Sequence, residues 1–358
     1  MTVNKIRVDR EGEYKIHFVV SAPPVKVRSS YHFQRNPKLP QIDMPLEQLL
    51  TYMGRNPRPA DFDEFWDHSV AEMAALDPEI ELKPVNLKAA GAECFDLYFT
   101  GVGGARIHAK YLRPKNASAA PHPALVMFHG YGANSGGWMD KLAYVAQGYS
   151  VAALDVRGQG GLSEDSGGTT GRTSSGHFIR GIDDGPEKML FRSVFLDCAQ
   201  LARIVMAMPE VDAARVGATG GSQGGALTLV CASLEPRIAR AAASFPFLCD
   251  YKRVWEMDLA VAAYAEIREY FRSFDPRHLR EDETFTRLGY VDVQFFAQRI
   301  QARTLMLVGL MDTVCPPSTQ FAAFNKITAP KEFLIYPDFG HEDPPGAADA
   351  VFEFFAGL

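Results

Sequence analysis

The sequence predicts an α/β protein with a mostly parallel central sheet and helices on both faces, and two observations carry that prediction. Short apolar runs alternate with helical patterns from about residue 124 onward, as parallel strands joined by crossover helices require. One such run, Arg215-Val216-Gly217-Ala218-Thr219, passes through Gly220-Gly221-Ser222-Gln223-Gly224-Gly225 directly into the apolar run Ala226 to Cys231. That is the order strand, sharp turn, helix.

Taken in chain order, residues 1–42 differ from the rest. Tyr14, Ile16, Phe18 and Val20 alternate at period two, and a polar stretch with prolines runs from Ala22 to Pro40. This reads as an N-terminal arm, either extending a sheet or contacting another subunit, or else a loosely attached terminus. Residues 43–358 read as one α/β unit. From Asp61 to Leu76 an amphipathic helix is expected, with Phe62, Phe65, Trp66 and Val70 on one face and acids in the first turn. Two β-like runs, Cys94 to Thr100 and Ala105 to Leu112, flank Gly101-Val102-Gly103-Gly104, which is hairpin chemistry. Six strands are then expected at Ala124 to Phe128, Ser150 to Leu154, Val216 to Thr219, Ala241 to Phe245, Thr304 to Val308 and Phe333 to Tyr336. A long helix should begin near Pro186 and bring Leu190, Val194, Cys198, Leu201 and Val205 onto the sheet. Between about 250 and 300 no strand pattern occurs, so a helical insertion is expected there, placed to roof a site.

Composition narrows the function classes. The chain has 358 residues, 47% hydrophobic and 22% charged, enough for one large core. A net charge of −6 with both signs interspersed offers no basic stripe for a phosphate backbone, so nucleic acid is not an expected partner. Met1 to Arg10 lacks an apolar export core, and no long apolar stretch follows. A cytoplasmic protein without membrane contact is therefore expected. Cysteines at 94, 198, 231, 249 and 315 show no C-x-x-C spacing, so they read as buried reduced thiols, and neither metal nor cofactor is expected. Cys315 is the thiol to watch, three residues after Asp312.

The chemistry is carried by Ser222. G-x-S-x-G between a strand and a helix is a nucleophile elbow, where the serine backbone is strained and its neighbours must lack Cβ atoms. A phosphate-cradling loop would instead need Lys followed by Ser or Thr at the helix start. A serine hydroxyl is a weak nucleophile, so a base is required downstream. His341 follows the strand run Phe333 to Tyr336 on a loop at the carboxyl edge of the sheet, whereas His278 lies in the helical insertion. The orienting carboxylate should fall between serine and histidine in chain order; Asp312 closes the run Thr304 to Val308, with Asp338 and Asp343 as alternatives. Oxyanion donors are expected from the Gln223 N–H and from the Tyr131 N–H in His129-Gly130-Tyr131-Gly132. Tyr131 and Pro246 are candidates for the wall of a small acyl pocket, and His129 reads as a loop-packing residue.

At these residues the chain resembles the carbohydrate esterase family seven, which contains acetyl xylan esterases and cephalosporin C deacetylases. The likeness runs from about Asp43 to Leu358. It includes Met44-Pro45-Leu46-Glu47, the helix start at Asp61 to Trp66, His129-Gly130-Tyr131, Asp155-Val156-Arg157-Gly158-Gln159-Gly160, Arg180-Gly181-Ile182, the Ser222 motif, Phe245-Pro246-Phe247-Leu248-Cys249, the stretch Gly309 to Ser318, and His341-Glu342. The resemblance implies an α/β-hydrolase fold and removal of acetyl groups from small sugars, xylooligosaccharides and cephalosporins, without metal or organic cofactor. It also implies a homohexamer. It places the nucleophile, acid and base at Ser222, Asp312 and His341, the oxyanion donors at Tyr131 and Gln223, and a structural role near the site at Arg157, Gly158 and Gln159. Residues 1–42 have no counterpart in the family pattern. Read without the resemblance, the same residues also suit a peptidase or a longer-chain esterase, and a hydrolase-like binding scaffold is the alternative outside enzymes.

Overall fold

A computed structural model describes residues 42–115, 120–169 and 177–358, together with the backbone of three short strands nearer the N-terminus. Those strands, β1 (Ile6–Val8), β2 (Tyr14–Ile16) and β3 (Lys26–Arg28), precede α1 (Leu46–Leu49) and α2 (Phe62–Ala75). Next come β4 (Glu81–Val85), β5 (Ala92–Thr100) and β6 (Arg106–Pro114), then β7 (His122–Phe128), α3 (Leu142–Ala146), β8 (Ser150–Leu154), α4 (Leu190–Met206), β9 (Val211–Gly221), α5 (Gln223–Leu234) and β10 (Arg240–Ser244). Helices α6 (Tyr251–Glu256), α7 (Ala265–Phe274) and α8 (Glu281–Leu288) separate β10 from β11 (Arg303–Gly309), which is followed by α9 (Pro317–Lys326), β12 (Lys331–Tyr336) and α10 (Ala347–Phe355).

The strands form one sheet in the order β1-β2-β3-β12-β11-β10-β9-β7-β8-β6-β5-β4. Pairing is parallel from β3 to β8 across the middle and antiparallel at both ends. The central strands are apolar over most of their length, with charges confined to their N-terminal parts, because both faces are covered. Along β7, Ala124, Val126 and Phe128 enter the large core shared with α4 and α5, while Leu125 and Met127 turn to the side of Phe354 and Phe355 on α10. The architecture is the expected α/β-hydrolase arrangement.

The structure differs from the sequence reading at the start of α4, on the buried faces of α4 and α2, and at the end of β10. Pro186 opens a single 3-10 turn, Pro186–Lys188; Met189 is extended at φ −63, ψ 128, and α4 starts only at Leu190. The expected stripe on α4 is buried, but so are Arg192, Asp197 and Gln200. For Arg192 the cause is a second covering layer: α2 lies on the outer side, with Trp66 and Phe195 ring centroids 5.8 Å apart and Arg192 Nε donating to Ser69 Oγ at 3.0 Å, whereas Asp197 is held by Arg157 and Gln200 Nε2 donates to Thr100 O at 3.0 Å. On α2 itself the buried face is Phe62, Trp66, Ser69 and Met73, so Phe65 and Val70 sit at its margin. The strand expected to reach Phe245 ends at Ser244, because Phe245 takes φ 34 and leaves the sheet.

The arm extends the sheet: β3 runs parallel to β12 with Phe333 opposite Val27. Phe18 and Val20, expected to continue the alternation, lie outside the described residues. The hairpin forms as expected, its turn at Val102–Gly104 using Gly103 at φ 72. The insertion between β10 and β11 holds helices and 3-10 turns and no strand among the described residues. All five cysteines are free and buried. No described helix is long and apolar enough to cross a membrane.

Candidate active site

Ser222 sits between β9 and α5 at φ 58, ψ −119, a backbone conformation that L-residues rarely adopt. Its surroundings hold it there. The Ser222 amide donates to Ser244 O at 3.0 Å, and the Ser222 carbonyl accepts from Phe247 N at 3.1 Å and Ala226 N at 3.0 Å. The turn is tight enough that a Cβ on Gly224 would lie 2.0 Å from Phe128 O, and one on Gly220 would lie 2.4 Å from the same oxygen. Only glycine lets helix and strand approach this closely.

The loops after β11 and β12 are joined by backbone hydrogen bonds, Leu310 N to Tyr336 O at 3.2 Å and Met311 N to Phe339 O at 3.0 Å. That pairing brings Asp312 beside His341. His341 Nδ1 lies 2.9 Å from Asp312 Oδ2, and His341 Nε2 lies 2.9 Å from Ser222 Oγ. With Asp312 as acceptor, the consistent tautomer carries the proton on Nδ1 and leaves Nε2 free to accept the serine proton. Asp312 is fully buried; its Oδ1 accepts from Val314 N at 2.9 Å and Cys315 N at 2.7 Å, and Gln320 Nε2 stands 3.4 Å from Oδ2. Those donors keep a buried carboxylate satisfied and aimed. Asp338 and Asp343, the alternatives, are exposed, and His278 is exposed against Phe271 with its ring centroids 4.6 Å apart.

Ligand atoms of Asp312, Cys315 and His341 fall within 4.8 Å of one another, which is metal-like proximity. Their chemistry points elsewhere: Asp312 is committed to His341 and two amides, and burial pushes the Cys315 thiol well above its ordinary range, so it is not the thiolate a metal binds.

The loop after β7 abuts the elbow. His129 Nδ1 donates to Gly130 O at 2.7 Å and Nε2 accepts from Val156 N at 3.0 Å, while burial lowers its pKa. It is therefore a neutral packing residue. Gln159 and Gln223 form a reciprocal amide pair, at 2.7 Å and 3.0 Å, and Gln159 Oε1 also accepts from Gly132 N at 2.9 Å. Gln223 Nε2 reaches His129 O at 3.3 Å. The backbone amides of Tyr131 and Gln223 donate to no acceptor among the described residues. Arg157 anchors this strand end through a two-pronged pair with Asp197, both distances 2.6 Å, and Arg157 Nη1 donates to Val102 O at 3.1 Å. Pro246 is buried, with its Cα against Gly225, whereas the neighbouring Phe245 is the residue whose ring meets His341. Tyr131 is half-buried, its ring 5.4 Å from those of Phe247 and His177. Phe245 and Glu266, which accepts the Tyr131 phenol, were not singled out by residue pattern, and only the positive φ of Phe245 or a side-chain contact reveals them.

A strained serine at a strand-to-helix elbow, bonded to a histidine and through it to a buried aspartate on a mostly parallel sheet, defines an α/β-hydrolase. The acetyl xylan esterase (AXE1) family model matches residues 39–358. The chain belongs to that family, a family of carboxylic ester hydrolases. The crystal structure of acetyl xylan esterase 1 from Thermoanaerobacterium sp. JW/SL YS485 is 59% identical and superposes with a TM-score of 0.86, covering 88% of this chain and 98% of that one. Acetyl xylan esterase from Paenibacillus sp. R4 is 38% identical, with a TM-score of 0.83 over 87% of this chain and 99% of that one. Acetyl esterase Axe7A of Xylanibacter ruminicola is 29% identical over 298 residues, 81% of this chain; the match spans 64% of that longer protein.

Proposed function

We propose that this protein removes acetyl groups from small acetylated sugars such as xylooligosaccharides, and from cephalosporin-type acetyl esters, through an acetyl-serine intermediate. The observation that supports this most directly is the unbroken chain from Ser222 Oγ to His341 Nε2, and from His341 Nδ1 to Asp312, at 2.9 Å for each link. Ser222 Oγ attacks the acetyl carbonyl carbon as its proton passes to His341 Nε2. The carbonyl oxygen becomes an oxyanion and takes hydrogen bonds from the Gln223 and Tyr131 amides. Collapse breaks the bond to the sugar oxygen, which leaves with the proton from His341. Water then attacks the acetyl-serine, giving its proton to His341; breakdown releases acetate and returns the proton to Ser222. Asp312 steadies the imidazolium in both halves.

The test is acetate release from 4-nitrophenyl acetate and acetylated xylose by the wild-type chain and Ser222→Ala, together with labelling by a fluorophosphonate. The variant should lose about 10⁴-fold or more in kcat and all labelling; full activity in it would refute the mechanism. A small acyl site predicts poor turnover of octanoyl esters, and equal turnover of acetyl and octanoyl esters would remove the preference for acetyl. The family resemblance also supports a homohexamer, to be checked by light scattering. The five free, buried thiols suit a reducing compartment, and cytoplasmic action is tested by cell fractionation.

A further inference from the structure

Tyr131 is flanked by Gly130 and Gly132, and Gly132 lies at φ +71 with open space where a Cβ would point. The backbone is therefore soft at the residue whose amide has to keep its direction. Two side chains remove that freedom from opposite sides. Gln159 takes the Gly132 amide at 2.9 Å. From the roof, Glu266 in the first turn of α7 accepts the Tyr131 phenol on Oε1 and the Phe178 amide on Oε2 at 3.1 Å. Glu266 is only 6% exposed. An acid so placed has given up water for protein donors, the Tyr131 phenol and the Phe178 amide among them, and burial with this carboxylate pushes the phenol far above its ordinary range.

We propose that Glu266 is a positioning residue for the oxyanion hole: through the phenol of Tyr131 it fixes the direction of the Tyr131 amide and makes helix α7 of the insertion part of the catalytic scaffold. The inference rests on the reading of Tyr131 N–H as an oxyanion donor. A donor used only in the transition state affects kcat and leaves substrate affinity alone. The tether should do the same.

Tyr131→Phe, Glu266→Ala, Glu266→Gln and the double variant Tyr131→Phe/Glu266→Ala test this, with 4-nitrophenyl acetate kinetics and inhibition by phenylboronic acid, whose tetrahedral serine adduct uses the same donors. Tyr131→Phe and Glu266→Ala should each lower kcat by about 10- to 100-fold with KM within about threefold, and weaken the boronate by a similar factor. Glu266→Gln can donate Nε2 to the phenol oxygen and accept the Phe178 amide, so it should stay within about fivefold of wild type. The double variant should be no worse than the weaker single one, since both break the same link. A kcat within twofold of wild type in Tyr131→Phe, a loss confined to KM, or a glutamine as damaging as alanine would overturn the proposal. If Glu266→Ala does not fold, Tyr131→Phe and Glu266→Gln decide alone. An inactive wild-type chain would instead sink the esterase reading, so the two failures are distinguishable.

Discussion

The imidazole of His341 stands edge to face against Phe245, with ring centroids 4.8 Å apart and planes at 65°. Phe245 reaches it by leaving the sheet at φ 34, a conformation held by its amide, which donates to Leu307 O at 2.8 Å. Two residues on, the Phe247 amide caps the Ser222 carbonyl at 3.1 Å and its ring packs on Tyr131. One short turn thus touches His341, Ser222 and the loop after β7 that carries Tyr131. Strain at Phe245 persists because each of these contacts depends on it.

Phe245→Ala should therefore loosen the imidazole. An aromatic pair of this geometry contributes about 0.5–1.5 kcal/mol beyond burial, which converts to roughly 2- to 13-fold in rate. We expect kcat/KM for 4-nitrophenyl acetate to fall by about tenfold, with Phe245→Leu between the two. An alanine variant as fast as wild type would mean the ring does not set the histidine.

Gln159 bonds both the Gln223 side chain and the Gly132 amide, so its truncation should loosen together the two segments that carry the proposed oxyanion donors, the Gln223 and Tyr131 amides. Each neutral hydrogen bond contributes about 0.5–1.5 kcal/mol net. Gln159→Ala should cost about 10- to 100-fold in kcat with little change in KM. A change confined to KM would assign Gln159 to substrate binding instead.

Asp312→Asn keeps the size of the side chain and reverses one hydrogen bond. The Oδ1 position accepts two amides, so the asparagine oxygen goes there and its NH₂ faces His341. The imidazole must then accept at Nδ1 and carry its proton on Nε2, the wrong nitrogen for a base. The kcat should fall by about 10³- to 10⁴-fold while the melting temperature changes little. A small loss would show that the carboxylate is not what sets the tautomer.

What each residue needs decides whether the sequence reveals it. Ser222 was legible because an elbow cannot form without glycine at 220 and 224, and Asp312 and His341 because each ends a loop after an apolar run in a fixed chain order. Glu266 was not. It lies 135 positions from Tyr131, in the first turn of an amphipathic helix, where an acid reads as a solvent-facing partner of the helix dipole. Phe245 read as the last residue of a strand, since a positive φ at phenylalanine leaves no trace in hydrophobic pattern. The start of α4 is hidden for a similar reason: Pro186 suits a first helical turn, and nothing local announces that Met189 is extended.

His108, with 1% of its side chain exposed, lies between two acids, Nδ1 at 2.7 Å from Asp155 Oδ2 and Nε2 at 3.0 Å from Asp96 Oδ1. Burial alone would lower its pKa, but the hydrogen bonds and charges of Asp155 and Asp96 outweigh it and raise the value above the ordinary 6.5. For Asp155 burial pushes upward, yet the bonds from His108, Leu162 N and Ser135 N bring it well below 3.8. The signs are opposite. Stabilisation from His108 is complete below 6.5 and is lost as pH rises through its raised value, whereas that from Asp155 is present above 3.8 and is lost as pH falls toward its depressed value. His108→Gln, which cannot carry the charge, should destabilise the fold by about 3–5 kcal/mol near pH 6 and by clearly less near pH 10, read as the gap in unfolding free energy from wild type. A gap that stays constant over that range would mean the imidazole is neutral in the native protein. Because Asp155 also takes the Ser135 and Leu162 amides, at 2.7 Å and 2.9 Å, and lies four positions before Gln159, the alkaline loss should reach the oxyanion loop, and kcat should decline in parallel with stability.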